Sequence, residues 1–182
     1  TASGLFYGFQ TFRQLCDMSL EKRKKPEKTT IPNCEIKDAP RFAYRGMHLD
    51  VSRHFFDVGF IKTYIDMIAF HKMNVFHWHL TDDNGWRIEI KKYPSLTDKS
   101  AWRVDRRHDP WKDWSPIKPN ESPTYGGFYT QDEIKEVEQY ASERNITVIP
   151  EIEMPGHTSE VFAAYPELSC NKNIIPVNPG SY

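Results

Sequence analysis

Hydrophobic positions along the chain repeat with helical spacing in three places. The first is residues 1–16, where Leu5, Phe9, Phe12 and Cys16 fall three or four positions apart. This spacing predicts a helix at the start of the chain.

Two further helices carry recognisable start signals. Asp57 can cap the helix that follows it, and a second helix opens at Thr130 with Glu133 three residues later, which is a capping box. The apolar stripes behind these caps predict the buried faces, with Val58, Ile61, Ile65 and Ile68 in the first helix and Ile134, Val137 and Ala141 in the second.

Between the helices lie three segments with strand character, at residues 43–52, 74–80 and 146–154. A short helix is expected at about 158–165. Alternation of strand and helix is typical of parallel βα units, so the predicted fold class is α/β. Near residue 40 the sequence changes from a charged, proline-containing segment to alternating strand and helix patterns. This change predicts two regions, 1–39 and 40–182.

One connection is much longer than usual. Residues 91–128 show no clear period, and loops of this length are commonly functional. The loop follows a strand, so it is expected at the carboxyl end of the sheet, where α/β folds bind ligands. Its aromatic residues either anchor the loop or contact a ligand: Trp102, Trp111, Trp114 and Tyr125.

Composition narrows the class of protein. The 182 residues are 38% hydrophobic and 27% charged with a formal net charge of −1, which is typical of a globular domain without an electrostatic pull toward nucleic acid or an anionic membrane. No apolar run is long enough to span a membrane, and no signal peptide is visible. Three widely spaced cysteines, Cys16, Cys34 and Cys170, are expected to be unpaired.

Ionisable residues follow each predicted strand. Asp50 and Arg53 end the first strand, Asp82 and Asp83 the second, and a third group ends the last strand: Glu151, Glu153 and His157. The carboxyl ends of parallel neighbours meet at one rim, so these side chains are expected to form one site.

Several chemistries are compatible with this rim. Glu151 and Glu153 share a strand face, but carboxylates at this spacing fit almost any role, including glycoside hydrolysis. His77 and His79 also share a face. His79, Asp82 and His157 could bind a metal in a metal-dependent hydrolase, although the prediction is no metal, with His77 a hydrogen-bonded interior residue.

A sugar ring fits the rim better. Arg53 offers a planar fork of donors, Asp82 is an acceptor, and Trp86 provides a flat apolar wall. Phosphate ligands would favour a glycine-rich loop and more lysines.

Four segments resemble one known family. They are RGMHLDVSRHFF at 45–56, KMNVFHWHLTDDNGWRIEI at 72–90, YGGFYTQDEIKEV at 125–137 and ITVIPEIEMPGHTSEVFAAYPELSC at 146–170. In this order they resemble glycoside hydrolase family 20, the β-N-acetylhexosaminidases. YGFQTFRQL near the start is similar to the last helix of the small α/β domain that precedes the barrel in that family.

The resemblance implies a (β/α)₈ TIM barrel of which this chain holds the first three to four βα units. It also implies a retaining exo-enzyme that removes terminal β-linked N-acetylhexosamine without a protein nucleophile, because the substrate's own acetamido oxygen attacks the anomeric carbon. No cofactor is implied. The expected substrates are N-acetylhexosamine-terminated glycans or chitooligosaccharides, and the expected location is secreted or periplasmic.

Four residues take roles from the resemblance, and a fifth, Trp86, is expected to bind the substrate through its flat ring. Arg53 matches the arginine that holds ring hydroxyls, Asp82 matches an aspartate that supports the catalytic acid, and His157 matches a histidine near that acid. Glu153 matches a carboxylate at the rim, and Trp86 follows in the turn after Asp82.

The family's catalytic Asp-Glu pair, which follows Gly-Gly, has no match here, since Asp132-Glu133 is predicted to cap a helix. We therefore expect an incomplete barrel that needs the remainder of the same enzyme and is inactive alone. The alternative function is a non-catalytic carbohydrate-binding or scaffold module.

Overall fold

A computed structural model describes residues 1–16, 30–109, 116–172 and 175–178. Its centre is a three-stranded parallel sheet. The strands are β1 (Gly46–Asp50), β2 (Val75–His79) and a third strand, β7 (Thr147–Glu151), in the order β1-β2-β7. The predicted α/β class with parallel neighbouring strands is confirmed.

Helices connect and cover these strands. α1 (Ala2–Leu15) precedes the sheet, α2 (Val58–Phe70) follows β1, and α4 (Gln131–Ser142) leads into β7. α5 (Ser159–Ala164) and a 3₁₀ turn (Pro166–Leu168) follow β7. No described helix has both the length and the apolar character needed to cross a bilayer.

The predicted caps are confirmed. The Asp57 side chain accepts a hydrogen bond from the Phe60 amide at 2.8 Å and starts α2. Thr130 and Glu133 form the reciprocal capping box of α4. These bonds satisfy amides that the first turn of a helix leaves without partners.

The two faces of the sheet differ in character. Phe76 and Trp78 point to the outer face, where they pack with the buried stripes of the helices in one core. This core includes Ile61, Ile65 and Ile68 of α2, and Val137 and Ala141 of α4. The alternate residues form the inner face, defined here as His48, Asp50, His77, His79 and Glu151.

The apolar stripe of α1 is not buried. Leu5 is 80% exposed and Phe9 58%, whereas Gln10 of the same helix is only 2% exposed. Phe6 packs against the main core, and the Gln14 side chain donates to the Phe70 carbonyl oxygen. The helix was predicted correctly, but its most apolar side faces away from the sheet.

The long connection between β2 and α4 is folded. It contains the hairpin β3 (Thr81–Asp82) and β4 (Gly85–Trp86), and the helical turn α3 (Ser95–Asp98). β5 (Trp102–Arg103) pairs with β6 (Tyr125–Gly126), which brings the middle of the connection against its last residues. A Cβ on Gly126 would lie 1.9 Å from the Ala101 carbonyl oxygen, so this pairing requires glycine.

Of the two predicted loop aromatics that the structure describes, Tyr125 serves as an anchor. Tyr125 is buried, and its hydroxyl accepts a hydrogen bond from the Phe55 amide at 2.8 Å. Trp102 lies half-buried in the β5–β6 pair. Trp111 and Trp114 lie outside the described residues. Cys16, Cys34 and Cys170 are free thiols in the structure.

Candidate active site

The strand ends converge at the carboxyl edge of the sheet, and Asp82 is the centre of the resulting cluster. Arg53 Nη2 lies 2.7 Å from Asp82 Oδ2, and Arg53 Nη1 lies 2.8 Å from Asp50 Oδ2. His157 Nδ1 lies 3.2 Å from Asp82 Oδ1. Arg53, Asp82 and His157, predicted from three separate strand ends, are therefore in contact.

Local structure places each of these groups. The amides of Ser52 and Arg53 both donate to Asp50 Oδ1, which turns the chain just after β1. Asp82 sits in the β3–β4 hairpin directly after β2. His157 has a φ of 51°, a left-handed conformation that non-glycine residues adopt mainly at turns and functional sites.

Asp82 remains ionised although its side chain is only 2% exposed. Burial opposes the charge, but a hydrogen bond from His79, the Asp83 amide and the charges of Arg53 and His157 together lower the pKa of Asp82. Burial disfavours the charged form of His79, but the hydrogen bond to Asp82 and the charges of nearby carboxylates outweigh this effect. The pKa of His79 is therefore raised. The pair favours a carboxylate and a protonated imidazole.

Asp83 links this cluster to α5. Its Oδ1 accepts hydrogen bonds from the Ser159 amide at 3.1 Å and from the Ser159 hydroxyl at 2.8 Å. Its Oδ2 lies 3.4 Å from His157 Nδ1. Asp83 therefore holds the segment that carries His157 against the rim.

A second cluster lies on the inner face, and it centres on Glu151. Oε2 of this residue lies 2.6 Å from His77 Nε2, 3.1 Å from His79 Nδ1 and 3.7 Å from His48 Nε2. The sequence predicted a hydrogen-bonded interior His77; the structure places its Nε2 beside this carboxylate, and the hydrogen bond itself stays a prediction. His48 was not singled out from the sequence, because only the register that pairs it with His77 brings it to the cluster.

Glu153 joins this second cluster. Its side chain hydrogen-bonds that of Glu151, which raises the pKa of Glu153. Burial opposes ionisation of Glu151, but the bond from Glu153 and the charges of the three histidines lower its pKa. The pKa of His48 is lowered, first by burial and then by the charges of His77 and His79. Glu153 thus lies at the rim as predicted, where it hydrogen-bonds another carboxyl group.

Trp86 is not brought to the rim. Only 3% of it is exposed, and it packs in a separate cluster with Leu96, Val161 and Ala164. Its Nε1 donates to the Ile88 carbonyl oxygen. The β3–β4 hairpin turns its ring inward, so the structure gives it a packing role, and contact with a sugar stays a prediction that its burial disfavours.

Arg87 is a structural residue that the sequence did not reveal. It is fully buried, and its guanidinium donates to five backbone carbonyl oxygens, those of Val51, Ser52, Asn84, Ala101 and Gly127. Burial lowers its pKa to about 10. These bonds hold the turn that carries Arg53, and no pattern in WRIEI separates this arginine from a solvated one.

The catalytic-domain profile of glycosyl hydrolase family 20 matches residues 42–180. The chain belongs to this family. The catalytic domain of family 20 is a TIM barrel, in which a rim at the carboxyl ends of the strands is the expected place for the site.

Individual relatives agree with this assignment. A β-hexosaminidase of Porphyromonas gingivalis is 48% identical over 171 residues, which are 93% of this chain and 20% of the relative. A β-hexosaminidase of Vibrio furnissii is 54% identical over 138 residues, which are 75% of this chain and 22% of the relative.

Solved family 20 structures superpose over nearly the whole chain. The Streptomyces plicatus N-acetyl-β-hexosaminidase in complex with Thio-NAglucal is 41% identical, with a TM-score of 0.82, over 98% of this chain and 33% of that one. The β-N-acetylhexosaminidase of Bacteroides fragilis is 40% identical, with a TM-score of 0.72 and 98% coverage of this chain. The chain spans between a fifth and a third of the length of these four proteins.

Proposed function

We propose that this chain supplies part of the active site of a retaining exo-β-N-acetylhexosaminidase, which hydrolyses terminal β-linked N-acetylhexosamine by substrate-assisted catalysis. The observation that carries the proposal is the contact of Arg53 and His157 with one buried, ionised Asp82 at the carboxyl edge of a parallel sheet. Family membership and the names of the relatives support it.

Each residue has a distinct role in the proposal. Arg53 presents its charged donors to hydroxyl groups of the terminal sugar. Asp82 and His157 hold the general acid in position and control its proton. The acid itself and the carboxylate that orients the acetamido group belong to the remainder of the enzyme.

Two features of the surface support an incomplete barrel. β1 and β7 are the edge strands of the described sheet, and open edges are an association hazard in an isolated domain. Apolar side chains stand exposed on these strands, including Met47 at 41% and Ile149 at 40%. Further βα units would cover both, and a preceding small domain would cover the stripe of α1.

The test is turnover of 4-nitrophenyl N-acetyl-β-glucosaminide by the full polypeptide that carries this chain. We expect hydrolysis with retained anomeric configuration, and a large loss of rate with the corresponding glucoside, which lacks the acetamido nucleophile. Equal rates on both substrates would contradict the substrate-assisted mechanism.

Two controls separate the remaining possibilities. The 182-residue chain alone should give no turnover, and measurable turnover would contradict the incomplete-barrel proposal. Saturable binding of chitooligosaccharides by the full polypeptide without any hydrolysis would instead support a non-catalytic binding module. We further propose a secreted or periplasmic location, which fractionation of the native host would test.

A further inference from the structure

The Glu151 cluster has an arrangement that hydrogen bonding alone does not explain. Glu151 Oε2 is shielded from solvent and has no hydrogen-bond partner among the described residues, although three imidazole nitrogens surround it. A buried polar atom without a partner is uncommon in proteins and often marks a bound water or ion.

The distances among three of these donor atoms fit one metal ion. His48 Nε2 lies 3.4 Å from His79 Nδ1, His79 Nδ1 lies 3.1 Å from Glu151 Oε2, and His48 Nε2 lies 3.7 Å from Glu151 Oε2. In a tetrahedral zinc site with bonds of about 2.0–2.1 Å, neighbouring ligand atoms are separated by about 3.3–3.4 Å. The three measured separations bracket this value.

The hydrogen-bond partners of the three proposed ligands are also those expected around a metal site. The other ring nitrogen of His79, Nε2, lies 3.0 Å from Asp82 Oδ2, so Nε2–H can donate to the carboxylate. Binding of the ion would displace the Nδ1 proton of the imidazolium to solvent, and Nδ1 would then ligate the metal through its lone pair. The Glu151 side chain is hydrogen-bonded by Glu153. Carboxylates that orient a ligating histidine, and hydrogen bonds that orient a ligating carboxylate, are regular features of metal sites.

The Asp82 cluster is less suited to a cation than the Glu151 cluster. Its oxygens already face Arg53, His79, His157 and the Asp83 amide, so a cation there would displace existing donors and meet the charge of Arg53. A cation beside Glu151 would instead lie between three potential ligand atoms that face one another.

We propose that His48 Nε2, His79 Nδ1 and Glu151 Oε2 form a zinc site on the inner face of the sheet. Two imidazoles and one carboxylate are a donor set that suits Zn²⁺. A water molecule would complete a four-coordinate set. His79 joins this site to Asp82, so a bound ion would fix the tautomer and orientation of the imidazole that supports the rim.

The test is isothermal titration of the metal-stripped full polypeptide with zinc chloride, without substrate. We expect one saturable equivalent and an affinity at least about tenfold weaker in His48→Gln. The matched control is His71→Gln, which alters an exposed histidine outside the cluster and should leave the affinity unchanged. No saturable binding, or equal affinity in wild type and His48→Gln, would overturn the proposal.

A second variant and a second measurement distinguish the loss of zinc binding from misfolding. Glu151→Gln keeps the shape of the ligand but removes its charge, and it should also weaken zinc binding while the circular dichroism spectrum stays that of wild type. Cobalt(II) should give the strong visible absorption of a four-coordinate site in wild type and His71→Gln, and lose it in His48→Gln. Weak cobalt absorption that is equal in all three proteins would indicate binding at surface histidines and refute the site.

Discussion

Asp82 and Glu160 are both buried carboxyl groups, and the regions around them are built differently. Asp82 is 1% exposed at the rim, where Arg53, His79 and His157 surround it. Glu160 is 0% exposed on α5, and neither of its carboxyl oxygens has a hydrogen-bond partner among the described residues.

The consequences for ionisation are opposite. The partners of Asp82 outweigh its burial and lower its pKa, whereas burial together with the nearby charges of Asp83 and Asp82 raises the pKa of Glu160 to about 8. Burial alone therefore does not identify a functional carboxylate. The presence of hydrogen-bond donors and positive charges around the carboxylate is the better indicator. The rim stabilises an ionised carboxylate, whereas the surroundings of Glu160 on α5 favour its neutral form.

The largest effect is expected from Arg53→Ala. This change removes the closest charged partner of buried Asp82 and leaves it only His79, His157 and the Asp83 amide, so it should lower the free energy of unfolding by about 3 kcal/mol. The proposed role of Arg53 in binding sugar hydroxyl groups also predicts a fall in kcat/KM of about 10²–10³-fold. Denaturant unfolding and steady-state kinetics of the full polypeptide measure both.

The matched control for this variant is Arg107→Ala. Arg107 pairs with Asp105 where the two side chains are 41% and 29% exposed, so its loss should cost less than about 1 kcal/mol. If Arg53→Ala behaves like Arg107→Ala in both assays, the rim is not organised around a buried ion pair.

Glu160→Gln should be stabilising at neutral pH. Between pH 4.5 and 8 the unfolded chain ionises this carboxyl group while the folded protein keeps it protonated, so stability falls as pH rises through that window. At about 1.4 kcal/mol per pH unit, the penalty reaches about 3 kcal/mol at pH 7. Removing the titrating group should recover this amount and flatten the pH dependence of unfolding.

Glu167→Gln is the control for that measurement, because Glu167 is exposed in the 3₁₀ turn beyond α5. It should leave the pH dependence as in wild type. A Glu160→Gln variant that is destabilised equally at pH 5 and pH 8 would indicate that the Glu160 carboxylate has a charged partner.

His157→Ala is expected to lower kcat by about 10–100-fold with a smaller change in KM. The charge of His157 contributes to the lowered pKa of Asp82, so its removal should raise that pKa. Activity should then begin to fall at a higher pH on the acidic side of the pH–rate profile. An unchanged profile would exclude His157 from the control of the acid.

The smallest effect is expected from Trp86→Phe. Phenylalanine keeps most of the packing against Leu96 and Val161 but loses the bond from Nε1 to the Ile88 carbonyl oxygen, at a cost of about 1 kcal/mol of stability. KM should change by less than about twofold. A large rise in KM without loss of stability would instead support the predicted contact of Trp86 with a sugar.

The sequence predicted the features that depend on local signals. The caps at Asp57 and Thr130 follow from side chains within one helical turn, and the convergence of Arg53, Asp82 and His157 follows from parallel strands in chain order. Features set by long-range register were missed. His48 reaches Glu151 across β2, and Trp86 is buried because a hairpin of two-residue strands folds back on the sheet.

The guanidinium of Arg87 joins four segments that are far apart in the chain, at residues 51–52, 84, 101 and 127. None of these four places lies within a described helix or strand, and the Arg87 guanidinium contacts all of them. The rim should therefore open as one cooperative unit, and amide hydrogen exchange at all four places should proceed at a single shared rate. Local unfolding of one of these four segments would then destabilise the other three.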